Sequence, residues 1–199
     1  EVRPVDIVSA YGVFANDGVR NPWYFIKRVE SANGTILENA SHNPKMAIDP
    51  QIARLVSDVL SDNNARSAVF GYSSSLYFPS RSVAAKTGTT QKNRDAWVIG
   101  YNPTITAGVW VGNNREESMT QEGAGISAAG PMWHEFMAKA LEKMPVEEFI
   151  KPDLVSSSKP MLNGSYDNSD PHNILYYVGR SDNQFNNWEW SVRRFFGLN

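Results

Sequence analysis

Lys86-Thr87-Gly88-Thr89-Thr90 concentrates a cation, three hydroxyls and a glycine at the end of an apolar run, Val83-Ala84-Ala85. These types suit an acyl-transfer site. A lysine can bind a substrate carboxylate and bias nearby proton transfers. Threonine hydroxyls give directional hydrogen bonds to the same carboxylate. Glycine keeps the way clear where a side chain would block an approaching backbone. A strand edge offers free N–H and C=O groups to an extended peptide. One such N–H can donate to a developing oxyanion, a contact typically worth roughly 2.7–4 kcal/mol. The string alone is weak. Its placement on a strand, after a long loop and before two further strands, strengthens it.

The elements that must hold these residues follow from periodicity. Pro4 suits the first turn of a helix in which Ile7, Val8, Tyr11 and Phe14 recur at helical spacing, and Gly18 is its stop. Residues 23–31 alternate, and the pattern resumes after Asn33-Gly34, which predicts a hairpin. Asp49 caps a second helix with Pro50 in its first turn; Ile52, Leu55, Val56, Val59 and Leu60 form its expected buried stripe. Residues 61–81 read as a long ordered loop, and such loops are often functional. Three strands follow, at about residues 82–90, 96–101 and 105–113, and their short connections demand antiparallel pairing. The third is apolar on both faces, which suggests burial in a central sheet. A glycine-rich loop then leads to a helix at about residues 131–143, burying Trp133, Phe136, Met137, Ala140 and Leu141. Trp23, Trp110 and Trp133 read as core. His134 reads as a packed or surface polar residue, Asp95 as a turn cap and Trp97 as core packing.

Composition narrows the function. The chain has 199 residues, 41% hydrophobic and 20% charged, with a net charge of −2, so nothing argues for a nucleic-acid partner. No apolar run approaches the length of a membrane span. There is no cysteine, hence no disulfide, thiolate nucleophile or zinc–thiolate site. His42, His134 and His172 lack ligand-like spacing, and no metal or organic cofactor is expected. The chain opens at Glu1 and enters a helix almost at once, which reads as a piece of a longer polypeptide.

Lys-Thr-Gly is one of three motifs shared by penicillin-recognising serine enzymes, beside Ser-x-x-Lys and Ser-x-Asn. The stretch "VAAKTGTTQKNRDAWVIGYNPTITAGVWVGNN" resembles the third, fourth and fifth strands of the transpeptidase domain of class A penicillin-binding proteins. "VDIVSAYGVFANDG" resembles the helix preceding this region in that family, and "NPWYFIKRVESANGTILE" its hairpin insertion. "DNNARSAVFGYSSSLYFPSR" resembles the loop before the third strand in one bacterial subgroup, and "AAGPMWHEFM" the closing helix. The resemblance spans about residues 5–140. It implies that Lys86 supports proton shuttling and that Thr87 and Thr89 bind the substrate's terminal carboxylate. It also implies that Gly88 keeps the groove open and that the Thr89 N–H is one oxyanion donor. The same resemblance implies that Thr90 extends the pocket.

The family's nucleophile, the serine of Ser-x-x-Lys, lies far upstream of Lys-Thr-Gly. The only such string here, Ser156 to Lys159, follows the motif in linker-like sequence beside Pro160. Ser31-Ala32-Asn33 reads as the hairpin turn, Ser61-Asp62-Asn63 as a helix cap, and Ser181-Asp182-Asn183 as a turn. Glu116 and Glu117 read as a solvated pair, with no second carboxylate matched for glycosidase work.

The expectation is therefore an α/β (α+β) domain, an antiparallel sheet flanked by helices, incomplete on its N-terminal side. Residues 1–144 would form the C-terminal part of a transpeptidase domain, and residues 145–199 a linker and small extension with an aromatic tail. The resemblance implies a serine-type DD-transpeptidase cross-linking peptidoglycan on the extracytoplasmic face of the bacterial membrane. Its partners would be peptidoglycan stem peptides, β-lactams and the cell-wall synthesis machinery. A glycosyltransferase domain and membrane anchor would lie upstream. The fragment alone would be inactive. A carboxypeptidase or β-lactamase of the same superfamily, or a non-catalytic peptidoglycan-interaction module, are the alternatives.

Overall fold

A computed structural model describes residues 2–119, 125–153 and Arg194. The chain divides into compact units at Pro152/Asp153, and the elements below belong to the first. Helix α1 (Pro4–Ala15) is followed by β1 (Val19–Arg20), β2 (Arg28–Glu30), β3 (Ile36–Asn39) and β4 (Lys45–Met46). Helices α2 (Pro50–Ser61) and α3 (Asn63–Phe70) precede β5 (Ala84–Thr89), β6 (Asp95–Tyr101) and β7 (Thr106–Gly112). The short helix α4 (Gly125–Ala128) and α5 (Gly130–Leu141) close the unit.

The principal sheet is antiparallel in the order β5-β6-β7. Its register explains how small residues position helices. Ala85 faces Gly100, which faces Ala107, so one row carries almost no side chain. The Trp133 indole of α5 fills that row, fully buried, with Nε1 donating to Ala107 O at 3.1 Å. On the opposite face Gly108 admits α1: a Cβ there would lie 2.6 Å from Val8 Cγ2. Tyr101 points to the same side, among the rings of Tyr11 and Phe14, and its hydroxyl pairs with Ser57 of α2 at 3.0 Å. Thus α1 and α2 cover one face, and α4 and α5 the other.

Burial pushes the Tyr101 phenol up to about 12 from 10.0, with the Ser57 bond opposing, and burial raises Tyr11 as well. The unfolded chain gives up the Tyr101 proton near pH 10, the folded protein only nearer 12. Stability should therefore be complete below about pH 10 and fall as pH rises from there through about 12. Urea midpoints at about pH 9 and about pH 11 test this, and Tyr101→Phe should flatten the difference between them.

Several sequence expectations are corrected. Residues 61–81 are not one loop: α3 forms there because the Asp62 carboxylate accepts from the Ala65 N–H at 3.0 Å, capping it. The expected buried stripe of α2 is not its buried face. Ala53 and Ser57 are buried, whereas Ile52, Leu55 and Val59 are 52%, 47% and 72% exposed. Small residues win because α2 packs close to Tyr101. Phe136 is likewise exposed on α5, and Trp23 and Trp110 are partly exposed, so Trp133 is the core tryptophan among these three. In the described sheet β6 lies between β5 and β7. The Asp49 cap, accepting from Gln51 N at 2.8 Å, and the hairpin between β2 and β3 form as expected.

Candidate functional site

The motif occupies the last four positions of β5, at an edge of the sheet left open among the described residues. Backbone bonding alternates along an antiparallel ladder. Thr90 N donates to Asp95 O at 3.0 Å, and the register runs without a break from there to Ala84↔Tyr101. Gly88 and Lys86 therefore spend their backbone groups on β6. The N–H and C=O of Thr87 and Thr89 turn outward, away from the sheet. The Lys86 ammonium confirms this direction by donating to Thr87 O at 2.6 Å. The open edge thus carries two outward backbone pairs with an exposed cation beside them.

Side chains split between the faces. Lys86 and Gly88 lie on the α1/α2 side, in line with Ile99 and Trp97. A Cβ on Gly88 would meet only Trp97, its Cβ at 3.4 Å, so the glycine is not demanded by packing. Thr87 and Thr89 lie on the α4/α5 side. Thr89 is exposed, and its Oγ1 accepts from Gly125 N at 3.0 Å. That bond occupies one lone pair and leaves the hydroxyl proton to donate elsewhere. Thr90 behaves differently. Its Oγ1 donates to Asp95 Oδ2 at 2.8 Å and accepts from Asp95 N at 2.9 Å, closing the β5–β6 turn. Asp95 also receives Trp110 Nε1 at 2.9 Å, so it is the cap of this turn.

Beside the edge is a small concavity of about 130 Å³, where Val59, Leu60 and Phe70 face Lys86 and Thr87. Arg66, also on its lining, is a clamp: it donates to Asn63 Oδ1, Leu60 O and Leu76 O. Burial lowers its pKa from the ordinary arginine value. These bonds hold the chain from α2 to Leu76 under the first half of β5. Sequence reasoning missed this clamp and that of Arg81, which donates to Leu141 O, Met144 O and Pro145 O at the end of α5. A cationic side chain three residues from its partner, or sixty, leaves no periodic signal.

The candidate serine motifs within the described residues are structural. Ser31 bonds Asn33 and Thr35 within the hairpin turn. In Ser61-Asp62-Asn63, Asp62 caps α3 and Asn63 bonds Tyr72 O and Arg66. His134 Nδ1 pairs with Ser75 O at 2.9 Å, and the ring stacks on Phe78. The strings at Ser156 and Ser181 and the aromatic tail lie outside the described residues.

A motif strand with an open edge, held between two helical layers, defines the β-lactamase-like fold of penicillin-recognising enzymes. The penicillin-binding protein transpeptidase domain matches residues 1–138, and the chain belongs to that family. It is 34% identical over 176 residues to penicillin-binding protein 1A of Neisseria lactamica, covering 83% of this chain and 21% of the relative. Penicillin-binding protein 1A of Mycobacterium tuberculosis is 36% identical over 163 residues, covering 76% and 20%. The chain thus spans about a fifth of the length of the curated relatives it matches. Among solved structures, PonA1 of Mycobacterium tuberculosis in complex with penicillin V is similar at a TM-score of 0.66 and 35% identity. That match covers 77% of this chain and 42% of PonA1. Penicillin-binding protein 1A of Haemophilus influenzae, at a TM-score of 0.67 and 20% identity, shares the fold over 82% of this chain and 30% of its own.

Proposed function

We propose that this chain is the substrate-gripping wall of a peptidoglycan-cross-linking DD-transpeptidase that is also acylated by β-lactams. The observation that carries the reading is the outward N–H and C=O of Thr89 on an open strand edge, beside Lys86 and two threonine hydroxyls. A donor stem peptide ending in D-Ala-D-Ala adds to β5 as an extended strand. Its terminal carboxylate meets the hydroxyls of Thr87 and Thr89 and the charge of Lys86. Its penultimate carbonyl lies at the Thr89 N–H. Thr90 belongs to this site through the turn it closes with Asp95 rather than through a free hydroxyl.

The chemistry is acyl transfer in two steps. A serine Oγ from a Ser-x-x-Lys helix outside these residues attacks the penultimate carbonyl, giving up its proton to a base. The Thr89 N–H stabilises the oxyanion, the C–N bond breaks, and D-Ala leaves with a proton on its amine. An amine of a second stem peptide then attacks the acyl-serine, forms the cross-linking amide and frees the serine. The similarity to a structure solved with penicillin V supports the β-lactam part, and the family supports an extracytoplasmic setting. The exposed Val59, which shares a concavity with Lys86, and the exposed Ile52 on the same helix support the reading that a further part of the domain covers α2.

Labelling with a fluorescent penicillin tests the proposal. A protein carrying this chain with the preceding residues of its gene should be labelled at one serine upstream, and competition with a D-Ala-D-Ala peptide should slow labelling. The 199-residue chain alone should remain unlabelled. Labelling of the chain alone at a defined serine would place the nucleophile inside it. Absence of labelling in the longer protein would remove the enzymatic reading in favour of a non-catalytic module.

A further inference from the structure

Gly125 opens α4 directly against the motif. Its N–H donates to Thr89 Oγ1 at 3.0 Å. No side chain fits there: a Cβ would lie 2.6 Å from Gly88 O, 3.2 Å from Thr89 Oγ1 and 3.2 Å from Trp97 O. Two of these atoms are backbone oxygens of a paired position, Gly88↔Trp97, and cannot retreat without opening the ladder. The contact is therefore fixed in space, and so is the hydroxyl that it holds.

A threonine hydroxyl has one proton and two lone pairs, and it turns freely unless something holds it. Turned the wrong way, it presents a lone pair to an incoming carboxylate and repels it. With one lone pair taken by the Gly125 N–H, the hydroxyl is polarised as a donor, and the chain N–H to O–H to carboxylate strengthens cooperatively. We infer that Gly125 is a positioning residue, which acts through Thr89 to fix its hydroxyl as a donor to an anionic ligand at the β5 edge. The inference rests on the transpeptidase reading and extends it to a residue far from the motif in sequence.

The test uses the protein that includes the upstream residues and compares acylation by a penicillin with acylation by its methyl ester, which lacks the anion. The unsubstituted protein should prefer the acid. Gly125→Ala should reduce that preference by roughly ten-fold or more, the scale of one hydrogen bond to a charged group, whatever the crowding does to the rates of acid and ester together. Thr89→Val should show the same loss, and the double substitution should be no worse than either alone. No labelling of the unsubstituted protein overturns the transpeptidase reading itself. Labelling with the acid preference intact in Gly125→Ala, or with acid and ester slowed equally, overturns only the role of Gly125. If Gly125→Ala does not fold, amide exchange decides. The Gly125 N–H should exchange faster in Thr89→Val, and penicillin acylation should slow its exchange in the unsubstituted protein. An unchanged Gly125 amide in these comparisons overturns the inference.

Discussion

Lys86→Ala, in the protein that carries the complete domain, is expected to slow acylation by penicillin by roughly 10²–10⁴-fold, the range of a removed acid–base group. Stability should barely move, by about 0.5 kcal/mol or less, because exposed side chains away from caps and cores contribute little. Lys86 is exposed, and its ammonium rests on Thr87 O at 2.6 Å, at the rim of the open edge. The proposed mechanism gives it two roles, binding a carboxylate that lies along β5 and relaying a proton for the serine nucleophile. Lys86→Arg separates these roles. Arginine keeps the charge but does not release its proton in a protein. An arginine variant as slow as alanine argues for proton relay. Recovery of the rate with arginine argues for carboxylate binding alone. Acylation by Lys86→Ala at the unsubstituted rate would take Lys86 out of the site.

The motif and the three strands were legible because their signals are local. Alternation, two short turns and a run of unusual polar residues fix β5, β6 and β7 to within two residues of their observed ends. The face that each motif residue occupies follows from the same alternation. What was not legible depends on close approach between distant segments. Ile52, Leu55 and Val59 make a good helical stripe, yet α2 is turned so that Ala53 and Ser57 meet the sheet. Hydrophobicity ranks residues by transfer energy and ignores the space available beneath them. Tyr101 fills that space, and only small residues fit above it. Gly125 was invisible for a related reason. A glycine in a glycine-rich loop looks like loop chemistry. Its contact with Gly88 O and Thr89 Oγ1 exists only once α4 is laid on the β5–β6 pair.

Trp133→Ala should be the most destabilising single change in this unit, costing roughly 3–5 kcal/mol by the precedent of buried aromatic truncations. The indole is fully buried, meets Phe78 edge-on at 5.8 Å, and lies on the Ala85–Gly100–Ala107 row. Removing it opens a hole floored by residues too small to collapse into it. It also strips Ala107 O of its indole donor. Trp133→Phe keeps much of the apolar contact but not that bond, and should cost roughly 1–3 kcal/mol. The complementary change is Gly100→Ala, whose Cβ would lie 2.3 Å from Trp133 Cζ2 and 2.7 Å from Ala84 O. Overpacking of this kind costs roughly 1–3 kcal/mol. Combined with Trp133→Ala it should cost less than the sum, because the hole admits the new methyl. Urea midpoints measure all four variants. A domain stable by roughly 5–15 kcal/mol leaves Trp133→Ala folded or nearly unfolded depending on where it starts. Acylation should follow the folded fraction, since the indole touches the row of Ala85 and not the edge of Thr89. A loss under about 1 kcal/mol for Trp133→Ala would mean that α5 does not seat on the sheet through this side chain. Slowed acylation in a fully folded Trp133→Ala would mean that the packing behind β5 sets the geometry of its edge.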